Sequence, residues 1–392
     1  MTSAVQTQPS APTDTDDPSA PLVSVVIPCL NEEQNIVECV TDALAALQKM
    51  GVQGEVVVAD NASEDDSARL AAEAGAHVVV ERSRGYGSAY MAGFAASSGR
   101  YIVMADADLT YDFNDIPRFV AALEEGAEMV IGDRMDNIQP GAMPWLHRYI
   151  GNPILTGVLN LFFRTGVKDA HCGMRALRRD VLERLALRTT GMEFASEMVI
   201  RASKEKLKIA EFPIEYHPRG GESKLSSFRD GWRHLRFLLV HSPNHLFIVP
   251  GLALAGFGTL IVVFVASGLD FFGRAWGQHA LIGGALLMIV GTQVLTMGLC
   301  AHAYGTYFMG EKDPWFDRMR ARFRLEHGLL LGSIFVLIGV AMGAVIVASW
   351  ISHGFGTLSY EHLAVVAATL VIVGIQIFFS SFLLSILGLR RR

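Results

Sequence analysis

Two carboxylates, Asp106 and Asp108, stand one residue apart at the end of the apolar run YIVMA. In a strand, side chains at i and i+2 point to the same side. Both carboxylates could then meet one cation or one hydroxyl-rich ligand. Mg2+ and Mn2+ favour hard oxygen ligands and commonly bridge a carboxylate to a diphosphate. The plain alternative is a solvated turn or a helix cap. A second cluster, Arg219-Gly-Gly-Glu-Ser-Lys224, places two cations among glycines, with Ser223 between them as a further acceptor or phosphate contact. Such a group suits a phosphate, the arginine as a two-pronged fork and the lysine as a point charge. It equally suits a basic patch on anionic lipid. Arg134, in GDR after an apolar run, and Arg175, in CGMR, are candidates for phosphate or acceptor contacts. A surface ion pair is the competing assignment for each.

These residues need elements to hold them. Short β-branched runs predict strands over 23–27, 55–59, 77–80, 101–105 and 128–131, with a helix from about 33 to 50 after the first. Ser63 to Asp66 has the pattern of a capping box opening the next helix. Alternating strands and helices predict an α/β domain with a parallel sheet. Ligands of such sheets sit beyond the carboxyl ends of the strands, which points to Pro28, Asp60, Asp106 and Asp108. Asp60 and Asn61 would accept hydrogen bonds from a base or ribose, or else form a capping turn.

The second half differs in kind. Uncharged apolar stretches cover 246–269, 280–300, 328–350 and 363–389, each long enough to cross about 30 Å of hydrocarbon. Basic residues cluster before the first (Lys224, Arg229, Arg233, Arg236), between the second and third (Lys312, Arg318, Arg320, Arg322, Arg324) and after the fourth (Arg390, Arg391, Arg392). Lysine and arginine favour the cytosolic side. The predicted protein is therefore multi-pass in the cell (inner) membrane, with its N-terminal domain and C-terminus cytosolic. Residues 225–241 place Leu225, Phe228, Trp232, Leu235, Leu238 and Leu239 near one helical face among arginines, as in a helix lying on a membrane. Residues 145–163 are also interfacial in character, but Gly151, Asn152 and Pro153 interrupt them; ordinary helix packing against the domain core is the alternative for both segments.

A net charge of −6 gives no footprint for nucleic acid. Cys29, Cys39, Cys172 and Cys300 lack metal-ligand spacing and are expected to be reduced thiols. Residues 1–20 carry neither the basic start nor the apolar core of a secretion signal and are expected to be a disordered tail. The organisation expected is a tail to residue 20, a catalytic domain over 21–224, an interfacial helix over 225–244 and four membrane helices over 245–392.

The segments VSVVIPCLNEEQNI, VVVADNASEDDS, YIVMADADLTYD, IGDR, DAHCGMRALRRDV and RGGESKL, in this order, resemble the motifs of family 2 inverting glycosyltransferases. The nearest resemblance is to dolichol-phosphate mannose synthase and the polyprenyl-phosphate glycosyltransferases, over about residues 22–240. It implies a GT-A (nucleotide-sugar-binding, Rossmann-like) fold and a nucleotide-sugar donor. Donor base and ribose would contact Pro28, Leu30, Glu32 and Asp60. Asp106, Ala107 and Asp108 would hold the diphosphate and a Mg2+ or Mn2+ ion, while Arg134, Arg219 and Lys224 would hold phosphates. Asp106, Asp108, Arg219 and Lys224 are thus the expected catalytic set. Where the family often has a metal-site glutamine, this chain has Thr110, whose hydroxyl would ligate directly or through water. Its four-helix tail is longer than in the best-known members. The lack of a QxxRW motif argues against processive polysaccharide synthases.

The expected reaction is inverting transfer of one hexose, from a GDP- or UDP-linked donor, to a polyprenyl phosphate (dolichyl, undecaprenyl or decaprenyl). A monophosphate with a second pKa near ~6 is already largely dianionic at neutral pH. It needs no strong base. The alternative acceptor, a hydroxyl of a lipid or saccharide, would need one, and Asp169, Glu193 or Glu197 would be recruited. A non-catalytic membrane scaffold conflicts with the intact acidic and basic motifs. Sequence leaves open whether the chain forms a homo-oligomer.

Overall fold

The computed structural model describes residues 21–221, 227–268, 276–308, 313–355 and 360–388. The chain divides into two compact units, Met1–Leu238 and Leu239–Arg392.

In the first unit, β1 (Val23–Cys29) leads to α1 (Ile36–Lys49), β2 (Gly54–Asp60) to α2 (Ser67–Glu73) and β3 (His77–Val80) to α3 (Tyr86–Ala96). Then come β4 (Tyr101–Met104), α4 (Ile116–Glu124) and β5 (Met129–Asp133). A π-turn (His147–Gly151) opens α5 (Asn152–Phe163), followed by β6 (Arg175–Arg178), α6 (Arg179–Leu185), α7 (Phe194–Lys204), β7 (Ile209–Pro213) and α8 (Ser227–Val240). The strands form one seven-stranded sheet in the order β3-β2-β1-β4-β6-β5-β7. Its centre is a dry apolar layer: Val25, Val26, Ile27, Val57, Val58, Ile102, Val103, Val130 and Ile131 are all fully buried. Each such side chain contributes about 1.5–3 kcal/mol when taken from water.

The five expected strands are present. The sheet is mixed rather than parallel, because β6 runs antiparallel to both β4 and β5. Pairing Met104 with Arg175 and Tyr101 with Arg178 puts the DAHCGMR segment across the end of the sheet, next to the carboxylates. The capping-box expectation fails. α2 starts at Ser67, and Ser63 instead donates its N–H to Asp60 and accepts from Asn31 N–H through its hydroxyl.

Among the described residues, the second unit holds four helices long and apolar enough to cross a membrane: Asn244–Ala266, Gln278–Phe308, Leu325–Ser352 and Glu361–Gly388. The first consists of a π-turn (Asn244–Ile248) and α9 (Val249–Ala266); the others are α10 (Gln278–Phe308), α12 (Leu325–Ser352) and α13 (Glu361–Gly388). A short helix, α11 (Pro314–Arg322), lies between α10 and α12, its first turn capped by Asp313, which also bonds His302 of α10. Glycine lets the long helices approach closely. A Cβ on Gly332 of α12 would sit 2.7 Å from the Gly374 carbonyl oxygen of α13, and one on Gly374 would sit 2.7 Å from that of Gly332. Close backbone contact of this kind replaces the hydrophobic drive that is missing between helices in lipid. All four cysteines are free, as expected.

Gly374→Leu should therefore wedge α12 from α13. Overpacking costs about 1–3 kcal/mol, a drop of roughly 3–10 °C in the unfolding midpoint. Gly343→Leu, where a Cβ meets nothing within 4 Å, should shift it by no more than ~1 °C. Thermal unfolding in detergent, followed by circular dichroism, checks both.

Candidate active site

Four fully buried residues of β4 deliver the chain to Asp106 at the sheet edge. Leu109 then takes a left-handed backbone conformation (φ 60°), a strained choice for a branched side chain and one met at functional sites. The tight turn brings Thr110 back onto Asp108: its N–H and hydroxyl donate to Asp108 Oδ1 at 3.2 and 2.6 Å. Thr110 thus orients the carboxylate with the hydroxyl that was expected to ligate metal.

Asp106 accepts from Tyr86 Oη at 2.9 Å and Tyr90 Oη at 3.5 Å. Burial, and next to it the charge of Asp108, pushes Asp106 up to about 6, against the hydrogen bond from Tyr86 and the charges of Arg134 and Arg219. A carboxyl raised in the folded state disfavours folding once it ionises. The cost is absent below about pH 4 and fully present above about pH 6. A bound cation would relieve it, so the oxygen donors of Asp106 and Asp108 fit a hard divalent ion. Among the described residues no group of three or more His, Cys, Asp or Glu could cage a metal.

Arg219 completes the cluster. One terminal nitrogen lies 2.7 Å from Glu32 and the other 3.4 Å from Asp108 Oδ2. Its Nε is buried, with no hydrogen-bond partner among the described residues. The segment that carries it is strapped to the DxD turn by His217 N–H on the Thr110 carbonyl and Gly220 N–H on the Asp108 carbonyl, both at 3.0 Å. The structure therefore brings together Glu32, Asp106, Asp108, Thr110 and Arg219. Ala107 is buried between the two carboxylates. Pro28 and Asp60 are at the carboxyl ends of β1 and β2, and Leu30 is just past β1. Ser223 and Lys224 lie outside the described residues.

Two of the arginine candidates are engaged within the protein. Arg175 is 1% exposed, and its guanidinium donates to the carbonyls of Cys172, Ala195 and Ala170, each at 2.8 Å. It knits three backbone segments together and has no free face for an acceptor. Arg134 forks onto Asp169 at 2.7 and 3.0 Å, lies over the Tyr216 ring and is nearly buried. Its charge is already neutralised. Burial would raise the Asp169 carboxyl, but Arg134 outweighs burial and holds it below the usual range. Glu197 is likewise occupied, by the N–H groups of Arg188 and Thr189, the Thr189 hydroxyl and Arg201. Of the three acids considered as bases, Glu193 alone keeps a buried oxygen, Oε2, without a partner among the described residues. Asn61 is also structural, tying Glu81, Ser83 and Gly85.

Sequence reasoning missed Tyr86, Asn35, whose amide donates to Glu32 and to the Gly220 carbonyl, and Tyr111, whose hydroxyl accepts from the Gly173 N–H and from Arg134. The only signal for Tyr86 was its place between Gly85 and Gly87, where a Cβ would strike the carbonyls of Thr190 and Thr189.

Residues 24–186 match Glycosyl transferase family 2, and residues 299–388 match the Glycosyltransferase family 2 C-terminal transmembrane region. The chain is 44% identical over 375 residues to the low-salt glycan biosynthesis hexosyltransferase Agl6 of Haloferax volcanii, covering 95% of this chain and 91% of that one. The chain belongs to glycosyltransferase family 2. It is also similar to the undecaprenyl-phosphate 4-deoxy-4-formamido-L-arabinose transferase of Klebsiella pneumoniae, with 31% identity over 74% of this chain and 90% of that one. The glycosyltransferase thus joins a GT-A-like domain to a set of apolar helices, and the motif resemblance holds.

In this glycosyltransferase, Arg175→Ala should cost at least about 3 kcal/mol of stability, because three buried carbonyls lose their donor. Turnover per folded molecule should change less than threefold. Thermal unfolding paired with active-site titration checks this. An intact midpoint with a hundredfold loss of turnover would return Arg175 to the phosphate site.

Proposed function

We propose that the enzyme transfers a single hexose, with inversion, from a UDP- or GDP-linked sugar to a polyprenyl phosphate at the cytosolic face of the membrane. One observation carries the reading. The guanidinium beside Asp108 keeps a buried Nε–H with no partner among the described residues, and an unsatisfied buried donor costs about 1–3 kcal/mol. A phosphate oxygen would satisfy it. Two findings support a lipid-phosphate acceptor: the similarity to the Klebsiella undecaprenyl-phosphate transferase, and the engagement of Asp169 and Glu197 in structural bonds. An acceptor that is already ionised needs no base.

In this reading Asp106 and Asp108 would hold a divalent ion beside the donor diphosphate, and Arg219 would take a phosphate oxygen. Mg2+ or Mn2+, when bound, supplies charge neutralisation at the leaving diphosphate. The acceptor oxygen forms a bond to the anomeric carbon, and the nucleoside diphosphate departs from the opposite face with the bonding electron pair. Thr110 and Tyr86 keep the two carboxylates in place. Glu193 favours the second reading, a hydroxyl acceptor, since its free oxygen could take the proton.

The segment around α5 suits the lipid interface. Trp145, Tyr149, Ile154 and Leu161 are each more than half exposed, while Leu159 is fully buried in the core. The same segment carries His147 and Arg148. Tryptophan and tyrosine favour the headgroup layer, where an apolar ring can keep one polar edge wet. On α8, Trp232 is similarly exposed while Leu238 is buried; the side chain of Phe228 lies outside the described residues.

Asp108→Asn and EDTA should each lower turnover at least ~100-fold, as metal-assisted charge stabilisation is worth several kcal/mol. The assay supplies purified enzyme with radiolabelled UDP- and GDP-sugars and undecaprenyl phosphate. Full activity in EDTA would exclude the metal. Replacing Trp145, Tyr149 and Ile154 with Ser should reduce transfer to the long-chain lipid about tenfold or more, with nucleotide affinity, measured by calorimetry, within twofold of wild type. Unchanged transfer would remove the interfacial role.

A further inference from the structure

Asn35 stands at the N-cap of α1, where asparagine ordinarily accepts from the first free N–H groups of the helix. Here its side chain makes no capping bond. It is 6% exposed and turns the other way. Its Nδ2 donates to the Gly220 carbonyl at 2.8 Å and to Glu32 Oε2 at 3.0 Å, engaging both amide hydrogens. Glu32 Oε1 in turn receives Arg219. The Gly220 peptide is thereby held on both sides, its N–H by the Asp108 carbonyl and its C=O by Asn35. Only glycine fits: a Cβ at residue 220 would lie 2.3 Å from Asn35 Oδ1.

We propose that Asn35 is a positioning residue for the transfer reaction. Its amide latches the 217–220 segment across the loop after β1 and the DxD turn, and fixes the Glu32 carboxylate that aims Arg219. The proposal rests on Arg219 being a phosphate ligand. Without the latch, Arg219 must find its pose from a freer segment, and binding of the donor diphosphate carries that ordering cost.

The test is a double-mutant cycle on nucleotide binding, which needs no acceptor. UDP and GDP are each titrated by calorimetry with Mn2+ into the full-length enzyme in detergent, and the one that binds is used throughout. Asn35→Asp is isosteric but turns the two donors into acceptors facing a carboxylate and a carbonyl. It should weaken binding about tenfold, and so should Arg219→Ala. The double variant should be no weaker than the weaker single, because one residue acts through the other. A general structural role would instead give multiplied losses and a lowered melting midpoint. Gly220→Ala breaks the same latch from the other side and should show the same non-additivity; it replaces Asn35→Asp if that variant does not fold. Multiplied losses, or wild-type binding in both latch variants, overturn the latch alone. Wild-type binding by Arg219→Ala overturns the phosphate reading and the latch with it.

Discussion

Two carboxylates placed side by side at a buried sheet edge repel each other and lose their hydration. Everything around Asp106 and Asp108 answers that cost. Tyr86 and Tyr90 donate to one, Thr110 to the other, and Arg219 brings a cation within 3.4 Å. The compensation stays incomplete, since Asp106 is still pushed up to about 6. A site in that state is poised for a divalent ion, whose charge exceeds anything that side-chain donors provide. The fold's part is rigidity. The carboxylates follow a strand paired on both edges, and the strained Leu109 turn is held by the bonds that follow it.

The elements most legible in the sequence were those built from continuous apolar or β-branched runs, whether buried or, like β3, partly exposed. β1 to β5 announce themselves as β-branched runs, and the four apolar helices by length alone. β6 and β7 did not stand out: RALR carries two arginines, and IAEFP is only half-buried. The site was legible where chemistry and spacing coincide, as in the DxD and Arg219. It was not where one residue type has two uses. Arg175 beside Gly173 has the same one-dimensional pattern whether its fork holds a phosphate or three carbonyls. Asn35 before a helix looks like a cap, and only the fold shows that its amide reaches residue 220. No local pattern encodes a contact across 185 positions.

The apolar helices rest on a different principle from the sheet. In the sheet, branched side chains fill space between backbones held by hydrogen bonds. In the helical unit, missing side chains let backbones meet, as at Gly332 and Gly374, or Gly291 against Ala255. The sheet unit tolerates exchange among apolar residues of similar volume. The helical contacts tolerate almost no added atoms.

The position of β6 has a consequence for synthesis. It lies between β4 and β5, yet is made after both. When β4 leaves the ribosome, one edge pairs with β1 and the other waits for residues 175–178. At roughly 5–20 residues per second, that edge stays open for about 4–15 s. During that time β5 is the strand at hand, and joining β4 to β5 directly would close the gap and exclude β6. The nascent chain must keep a slot one strand wide, which makes this edge the place where a translation pause or a chaperone would do most to decide the yield of folded enzyme.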